Sequence, residues 1–394
     1  MSTPSSRTLT TRSSRSSSRG TNSVGGQGPI VVKIGSSTLV DAAGAPDRAF
    51  IGSLCGQVAR LMDEGHEVVV VSSGAAAAGM ERLGLKARPK DLPTLQACCA
   101  AGQAALTEIY AEVLSQSGHA AGQVLMTRRD VVDRECYLNT RNTFERLLEL
   151  GVVPIVNEND TVSVAELSFS DNDMLGAIVS ALVGASLYVI LSDVEGLYTA
   201  NPSTHPEANL IPRVEELTPE ILAGATGAGS AFGTGGMASK LRAARAMLAA
   251  GIPMTICEGR KADVLVDVVH GKKVGTRFEA SAGHAAHEGA RKLWIGLAGV
   301  PQGTLTVDEG AVHALVDRGS SLLPAGVIAT EGEYAAGDVV DIRAEDGMLV
   351  ARGITRYSAD EVMRIHGLKL DVIERFLPER EGAPLVHRDE MLVF

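Results

Sequence analysis

Short β-branched runs alternate with longer Ala- and Leu-rich stretches from Ile30 onward, and this alternation restricts the fold more than any other feature. The runs are Ile30–Ile34, Val68–Ser72, Gln123–Thr127, Val152–Val156, Leu187–Leu191 and Met254–Cys257. Helix-like segments lie between them: Arg48–Asp63, Thr94–Gln116, Leu138–Leu150, Asn172–Val183 and Met237–Ala250. Strands that read as near-continuous apolar runs belong to a sheet covered on both faces. The order predicts an α/β three-layer sandwich with a mostly parallel central sheet over about 250 residues.

The pattern stops near Thr276. A Gly/Ala/His stretch without periodicity comes next, and then short strand-like pieces: Lys292–Ile295, Gly303–Val307, Val327–Thr330, Val339–Ile342 and Met348–Ile354. These predict a small β-rich module with one or two short helices. The chain divides into a disordered tail over 1–28, an α/β domain over 29–278, a linker over 279–290, the β-rich module over 291–380 and a tail over 381–394.

Residues 1–28 are rich in Ser, Thr, Gly and Arg, with no acidic residue and no apolar stretch. A secretory signal is therefore not expected, while an organellar transit peptide would also fit this composition. No apolar run reaches the about 18 residues a membrane span needs, and a cytoplasmic location is expected. The five cysteines form no C-x-x-C pair and read as reduced, mostly buried thiols. His284 and His287 lie in the linker with no Cys near them, so no metal site is read there.

Ligands of open parallel sheets bind at the carboxyl ends of the strands. Gly35-Ser36-Ser37 comes after the first run, Ser73-Gly74 after the second, Asn157-Glu158-Asn159-Asp160 after the fourth and Ser192-Asp193 after the fifth. Gly35 and Gly74 either make tight turns or let backbone amides approach an anion, with a helix start after Gly74. Asp171-Asn172-Asp173 sits where a helix should begin, as caps or as a carboxylate that orders lysines or Mg²⁺. Phe232–Lys240 is a Gly-rich segment opening a helix. It is either a surface loop or a flexible arm delivering Lys240 to phosphates. No strand precedes it, which counts against a dinucleotide fingerprint, and no G-x-x-x-x-G-K-[ST] loop occurs.

Taken in order, these segments resemble the amino-acid kinase family, and within it the glutamate 5-kinases. The resemblance rests on Val32–Ser37, Ser72–Ala75, Asn157–Asp160, Asp171–Asp173, Asp193–Thr199 and Gly233–Lys240. Arg318–Pro324 and the residues C-terminal to it resemble the PUA pseudo-barrel. The resemblance implies that Lys33 and Lys240 contact the transferring phosphoryl group, that Asp173 positions both, and that Gly35 and Gly74 amides assist. It implies that Ser73, Asp160 and Asn172 hold L-glutamate, Asp160 through the α-amino group. Lys33, Ser192, Asp193 and the loop Thr234, Gly235, Gly236, Met237, Ala238, Ser239 and Lys240 would bind ATP, with Mg²⁺ and no protein metal site. Ser192 stands where threonine is common, and Ala238-Ser239 replaces Ser-Thr, so a hydroxyl is kept in each place. Further implications are the first step of proline biosynthesis, inhibition by proline, a downstream glutamyl phosphate reductase and a homo-oligomer.

Two other readings remain. One is a different amino-acid kinase, acting on acetylglutamate, aspartate, carbamate or UMP. The other is an RNA-binding protein acting through its C-terminal module. The chain carries a formal charge of −11, and residues 291–394 hold 11 Lys and Arg against 17 Asp and Glu. Nucleic-acid modules present a basic face, so binding to nucleic acid is not expected.

Overall fold

Burial along the first strand alternates between two cores, and the rest of the α/β domain is built around that division. The computed structural model describes residues 28–127, 129–163, 172–202, 204–218, 221, 236–279, 292, 295–296, 301–368, 370–373 and 383–393. In β1 (Ile30–Ile34), Ile30, Val32 and Ile34 enter one apolar cluster while Val31 enters the other. A strand's side chains point alternately to opposite faces. Lys33 therefore shares the face of Val31.

Around β1 lie β2 (Val68–Val71), β3 (Ala120–Met126), β4 (Val152–Glu158), β5 (Leu187–Ser192), β6 (Arg213–Val214), β7 (Met254–Glu258) and β8 (Thr276–Phe278). Their spatial order is β3-β4-β2-β1-β5-β7-β8-β6. All pairings are parallel except β7 with β8. Ile34 pairs with Leu191 and Val71 with Val156, so β1, β2, β4 and β5 end along one edge.

Helices cover both faces. Arg48–Asp63 is capped by the Asp47 carboxylate, which accepts from Phe50 N, and Ile51, Leu54, Val58 and Leu61 line its buried side. With Leu92–Gln116 and Val264–Val269 it encloses the cluster of Ile30, Val32 and Ile34. On the Val31 face lie Arg134–Glu149, Asn172–Leu182 and Met237–Ala250, contributing Phe144, Leu175 and Met247 among others. Alternating apolar layers of this kind supply most of the stabilisation of a buried parallel sheet.

The C-terminal strands form a second sheet: β9 (Gly303–Val307), β10 (Val327–Gly332), β11 (Val339–Ala344), β12 (Leu349–Thr355) and β13 (Val386–Val393), in the order β10-β9-β11-β12-β13. The expected tail over 381–394 is thus corrected: β13 closes this sheet against β12, and Val386, Met391 and Leu392 are buried. Its charged middle, His387–Glu390, hides the strand pattern in the sequence. The strand expected over Lys292–Ile295 is corrected too, since Lys292 and Ile295 have helical backbone. Val339, Ile354 and Leu392 join the apolar cluster on the Met237–Ala250 face, so the two sheets share part of one core. Residues 1–27 and 280–291, which hold most of the expected tail and linker, lie outside the described residues. Among the described residues no helix is long and apolar enough to cross a membrane.

Candidate active site

At the shared carboxyl edge of β1, β2, β4 and β5 the chain encloses a cleft of about 980 Å³. Lys33 reaches it because its place on β1 aims it at the Asn172–Leu182 helix. There its Nζ lies 2.5 Å from Asp173 Oδ1. Lys240, in the first turn of Met237–Ala250, places Nζ 3.2 Å from Asp173 Oδ2, and Ser239 Oγ donates to the same oxygen at 3.1 Å. Relative exposures are 5% for Lys33, 6% for Lys240 and 0% for Asp173. Burial drives the Asp173 carboxyl upward, but the charges of Lys33 and Lys240 and their hydrogen bonds outweigh it and hold it below the ordinary carboxylate value. Asp173 is thus shared between two ammonium groups, an arrangement suited to receiving an anion.

Beside this cluster β2 runs into Gly74, whose φ of +95° starts the helix Ala75–Leu83 without a side-chain cap. Only glycine adopts such a turn freely. A Cβ there would also sit 2.3 Å from Leu39 Cδ2. The amides of the first turn open toward the cleft, which Ala75, Ala76 and Ala77 line. An uncapped helix N-terminus adds donors and a positive dipole end for an anion. The Gly35 N–H, by contrast, donates to Leu191 O at 3.0 Å and ties β1 to β5.

Toward β4 the cleft becomes amide-rich. Asn172 Nδ2 lies 2.9 Å from Ser72 O, 3.0 Å from Ser73 Oγ and 2.9 Å from Asn157 Oδ1. Asn157 Nδ2 in turn donates to Gln103 Oε1 at 2.8 Å. Asp160 lies just past β4, where burial pushes its carboxyl above the ordinary value against the opposing pulls of the Cys99 thiol and the Arg88 charge. Burial pushes the Cys99 thiol up to about 12, with Asp160 adding to the effect. On the β5 side, Ser192 Oγ donates to Asp193 Oδ1 at 3.1 Å.

Lys33, Gly35, Ser73, Gly74, Asp160, Asn172, Ser192, Asp193 and Lys240 all line the one cleft, and Asp173 lies behind its two lysines. Met237 instead packs on the core, Ala238 is exposed, and Gly236 precedes the helix as its N-cap. Asp171, Thr234 and Gly235 lie outside the described residues. Sequence reasoning missed Gln103, Asn157 and Arg88 as individual contributors. Asn157 was visible as the first residue of the Asn157–Asp160 turn. Gln103 and Arg88 carry no local signal, because they join the site only through packing of the segment between β2 and β3. Among the described residues no three His, Cys, Asp or Glu side chains converge as a metal cage.

Comparison with known proteins bears on the family of the chain. The model of the amino acid kinase family matches residues 28–258, and that of the PUA domain matches 303–377. The glutamate 5-kinase of Myxococcus xanthus (strain DK1622) is 47% identical over 364 residues, covering 92% of this chain and 96% of its own. That of Caulobacter vibrioides (strain NA1000 / CB15N) is 48% identical over 367 residues, with coverage of 92% and 96%. Among solved structures, carbamate kinase from Giardia lamblia bound to AMP-PNP is 18% identical and covers 64% of this chain and 99% of its own, with a TM-score of 0.47. With a family model over more than half of its length and such relatives over nearly all of it, the chain belongs to the amino acid kinase family, in its glutamate 5-kinase branch, and carries a C-terminal PUA domain.

Proposed function

We propose that the chain moves the γ-phosphoryl group of ATP onto the side-chain carboxylate of L-glutamate, giving ADP and glutamyl 5-phosphate, the first step of proline biosynthesis. The observation that carries this reading is the buried Lys33–Asp173–Lys240 cluster, two lysines held on one carboxylate beside an uncapped helix N-terminus.

The acceptor is already ionised at neutral pH, since a glutamate side chain has a pKa of about 4.3, so no general base is needed. The carboxylate oxygen forms a bond to the γ-phosphorus as the bond to the β–γ bridging oxygen breaks, and that oxygen leaves as part of ADP. The obstacle is repulsion between a carboxylate and a triphosphate. Lys33, Lys240 and the amides after Gly74 offset it and stabilise the charge spread over the phosphoryl oxygens. Asp173 keeps the two ammonium groups apart and fixed, so little reorganisation is required as charge develops. Ser73, Asn172 and Asp160 hold the acceptor, Asp160 by its α-ammonium group. Ser192, Asp193 and the segment 234–240 hold the nucleotide. Mg²⁺, which usually binds through substrate phosphates and few protein groups, would supply further charge neutralisation from the triphosphate side.

The same reading includes proline as an inhibitor at the acceptor end, a homo-oligomer and a cytoplasmic enzyme. A reductase would consume the acyl phosphate before it hydrolyses. Support for these comes from the resemblance of the acceptor residues to the family pattern. The test is incubation with ATP, Mg²⁺, glutamate and hydroxylamine, which traps the acyl phosphate as γ-glutamyl hydroxamate. Product that requires glutamate, with none from aspartate or acetylglutamate, is expected, and added proline should suppress it. Product from another acid alone would move the substrate, and product from no carboxylic acid would overturn the reaction class.

A further inference from the structure

Glutamate brings three charged groups into the cleft, and the residues assigned so far answer only two of them. The side-chain carboxylate faces Lys33, Lys240 and the helix N-terminus, and the α-ammonium faces Asp160. No charged residue assigned so far faces the α-carboxylate. An anion left unpaired in a partly enclosed cleft costs binding energy, so a cation close to Asp160 is required by the geometry of an amino acid, whose two α-groups share one carbon.

Arg88 meets that requirement. It lies in the segment between the Ala75–Leu83 helix and Leu92–Gln116, lines the same cleft as Asp160 and Asn172, and is exposed to it. Its charge is felt both at Asp160 and at the Cys99 thiol beside it. Among the described residues it forms no ion pair or hydrogen bond of its own, so its guanidinium is available. The segment is held in place at its far end: Asp91 caps the Leu92–Gln116 helix, and Gln96 Nε2 donates to Ser163 O at 2.9 Å, tying that helix to the turn that carries Asp160. The distance is suitable as well. Adjacent strands are about 4.8 Å apart, so the β4 end that bears Asp160 is about 10 Å from the β1 end that bears Lys33. An extended glutamate placed with its α-carbon near Asp160 directs its side chain toward the lysines. Lys86 lines the cleft too, but only the planar guanidinium fork matches a carboxylate with two parallel hydrogen bonds.

We infer that Arg88 is the receptor for the α-carboxylate of the amino-acid acceptor and, paired with Asp160, sets the requirement for a free α-amino acid. The inference rests on the proposed glutamate kinase reaction. It assigns Arg88 to acceptor recognition and gives it no part in phosphoryl transfer.

The experiment compares wild type with Arg88→Gln and Arg88→Lys in the hydroxamate assay, using glutamate and its α-amide, in which the α-carboxylate is neutral. Arg88→Gln is expected to raise KM for glutamate about 10- to 100-fold, the range for losing a charged hydrogen-bonded partner, while kcat and KM for ATP hold. Activity with the α-amide should be equal in wild type and Arg88→Gln, so that the preference for glutamate collapses. Arg88→Lys should restore part of it. Because Arg88 is exposed, unchanged thermal midpoints are expected and check that the variants fold. An unchanged KM for glutamate, or an equal loss with the α-amide, overturns the inference while leaving the kinase reading intact. Wild type that makes no hydroxamate from glutamate overturns both.

Discussion

Lys33 and Asp173 form a 2.5 Å ion pair between the end of one strand and the start of the helix packed against it, both side chains withdrawn from solvent. Asp173 also holds Lys240, so its removal and the removal of a lysine should have different consequences. Asp173→Asn takes from two buried ammonium groups the carboxylate they share, and breaking a buried pair in this way costs about 3 kcal/mol or more. Lys33→Met leaves Asp173 paired with Lys240. We expect Asp173→Asn to lower the thermal midpoint sharply, and Lys33→Met or Lys240→Met to keep a near-native midpoint while kcat falls about 10²- to 10³-fold. Thermal denaturation and the hydroxamate assay on the same preparations decide it. A well-folded lysine variant with normal turnover removes that lysine from the mechanism.

The same ion pairs make part of the stability acid-sensitive. The folded Asp173 carboxyl titrates below its ordinary value of 3.8. Its contribution is present in full above that value and is lost as the pH falls toward and through the lower folded value. Denaturant midpoints taken from pH 6 down to pH 3 should therefore fall more steeply for wild type than for Asp173→Asn. Equal slopes would show that the two lysines do not stabilise the ionised form.

How much of this was legible beforehand depended on distance along the chain. Runs such as Val68–Val71 and Leu187–Ser192 announce themselves, because strands buried on both faces must be apolar throughout. The two- and three-residue strands β6 and β8 are too short to show a period, and β13 disguises its strand with a charged run, Arg388–Glu390, between its apolar ends. In the site, Lys33, Gly74 and Asp173 stand at strand ends or helix starts and could be picked out from the sequence. That Asp173 holds both lysines came from family resemblance, and that Asn157 holds Asn172 came only from the folded chain. Gln103 is half-way along a long helix whose every face reads as packing. Its hydrogen bond to Asn157 spans a loop, a strand and two helices.

Asp160 is the reverse case of Asp173. Burial raises its folded carboxyl above 3.8, so the ionised form is strained in the folded state. A raised carboxyl gives stability that is complete at low pH and lost as the pH rises through the folded value. At pH 7 Asp160→Asn should therefore raise the thermal midpoint while weakening the acceptor, seen as a higher KM for glutamate at constant KM for ATP. In wild type, KM for glutamate should rise on acidification at a higher pH than an ordinary carboxylate would give, and the variant should lack that rise. A variant that is less stable and binds glutamate normally would sink the assignment.

The amide chain gives a prediction for a residue that touches no substrate. Gln103 accepts from Asn157 Nδ2 at 2.8 Å, Asn157 accepts from Asn172 Nδ2 at 2.9 Å, and all three side chains are buried or nearly so. Because an amide presents different chemistry on its two sides, Gln103 decides which side Asn157 turns toward Asn172, and so how Asn172 faces the acceptor. Gln103→Leu removes the acceptor and leaves a buried N–H unpaired, at a cost of about 1–3 kcal/mol. It also frees Asn157 to flip. We expect Gln103→Leu to raise KM for glutamate more than KM for ATP, and Gln103→Glu, which keeps an acceptor oxygen, to restore most of the glutamate affinity. If Gln103→Leu lowers stability but leaves KM for glutamate unchanged, Gln103 is a packing residue and the acceptor is held without it.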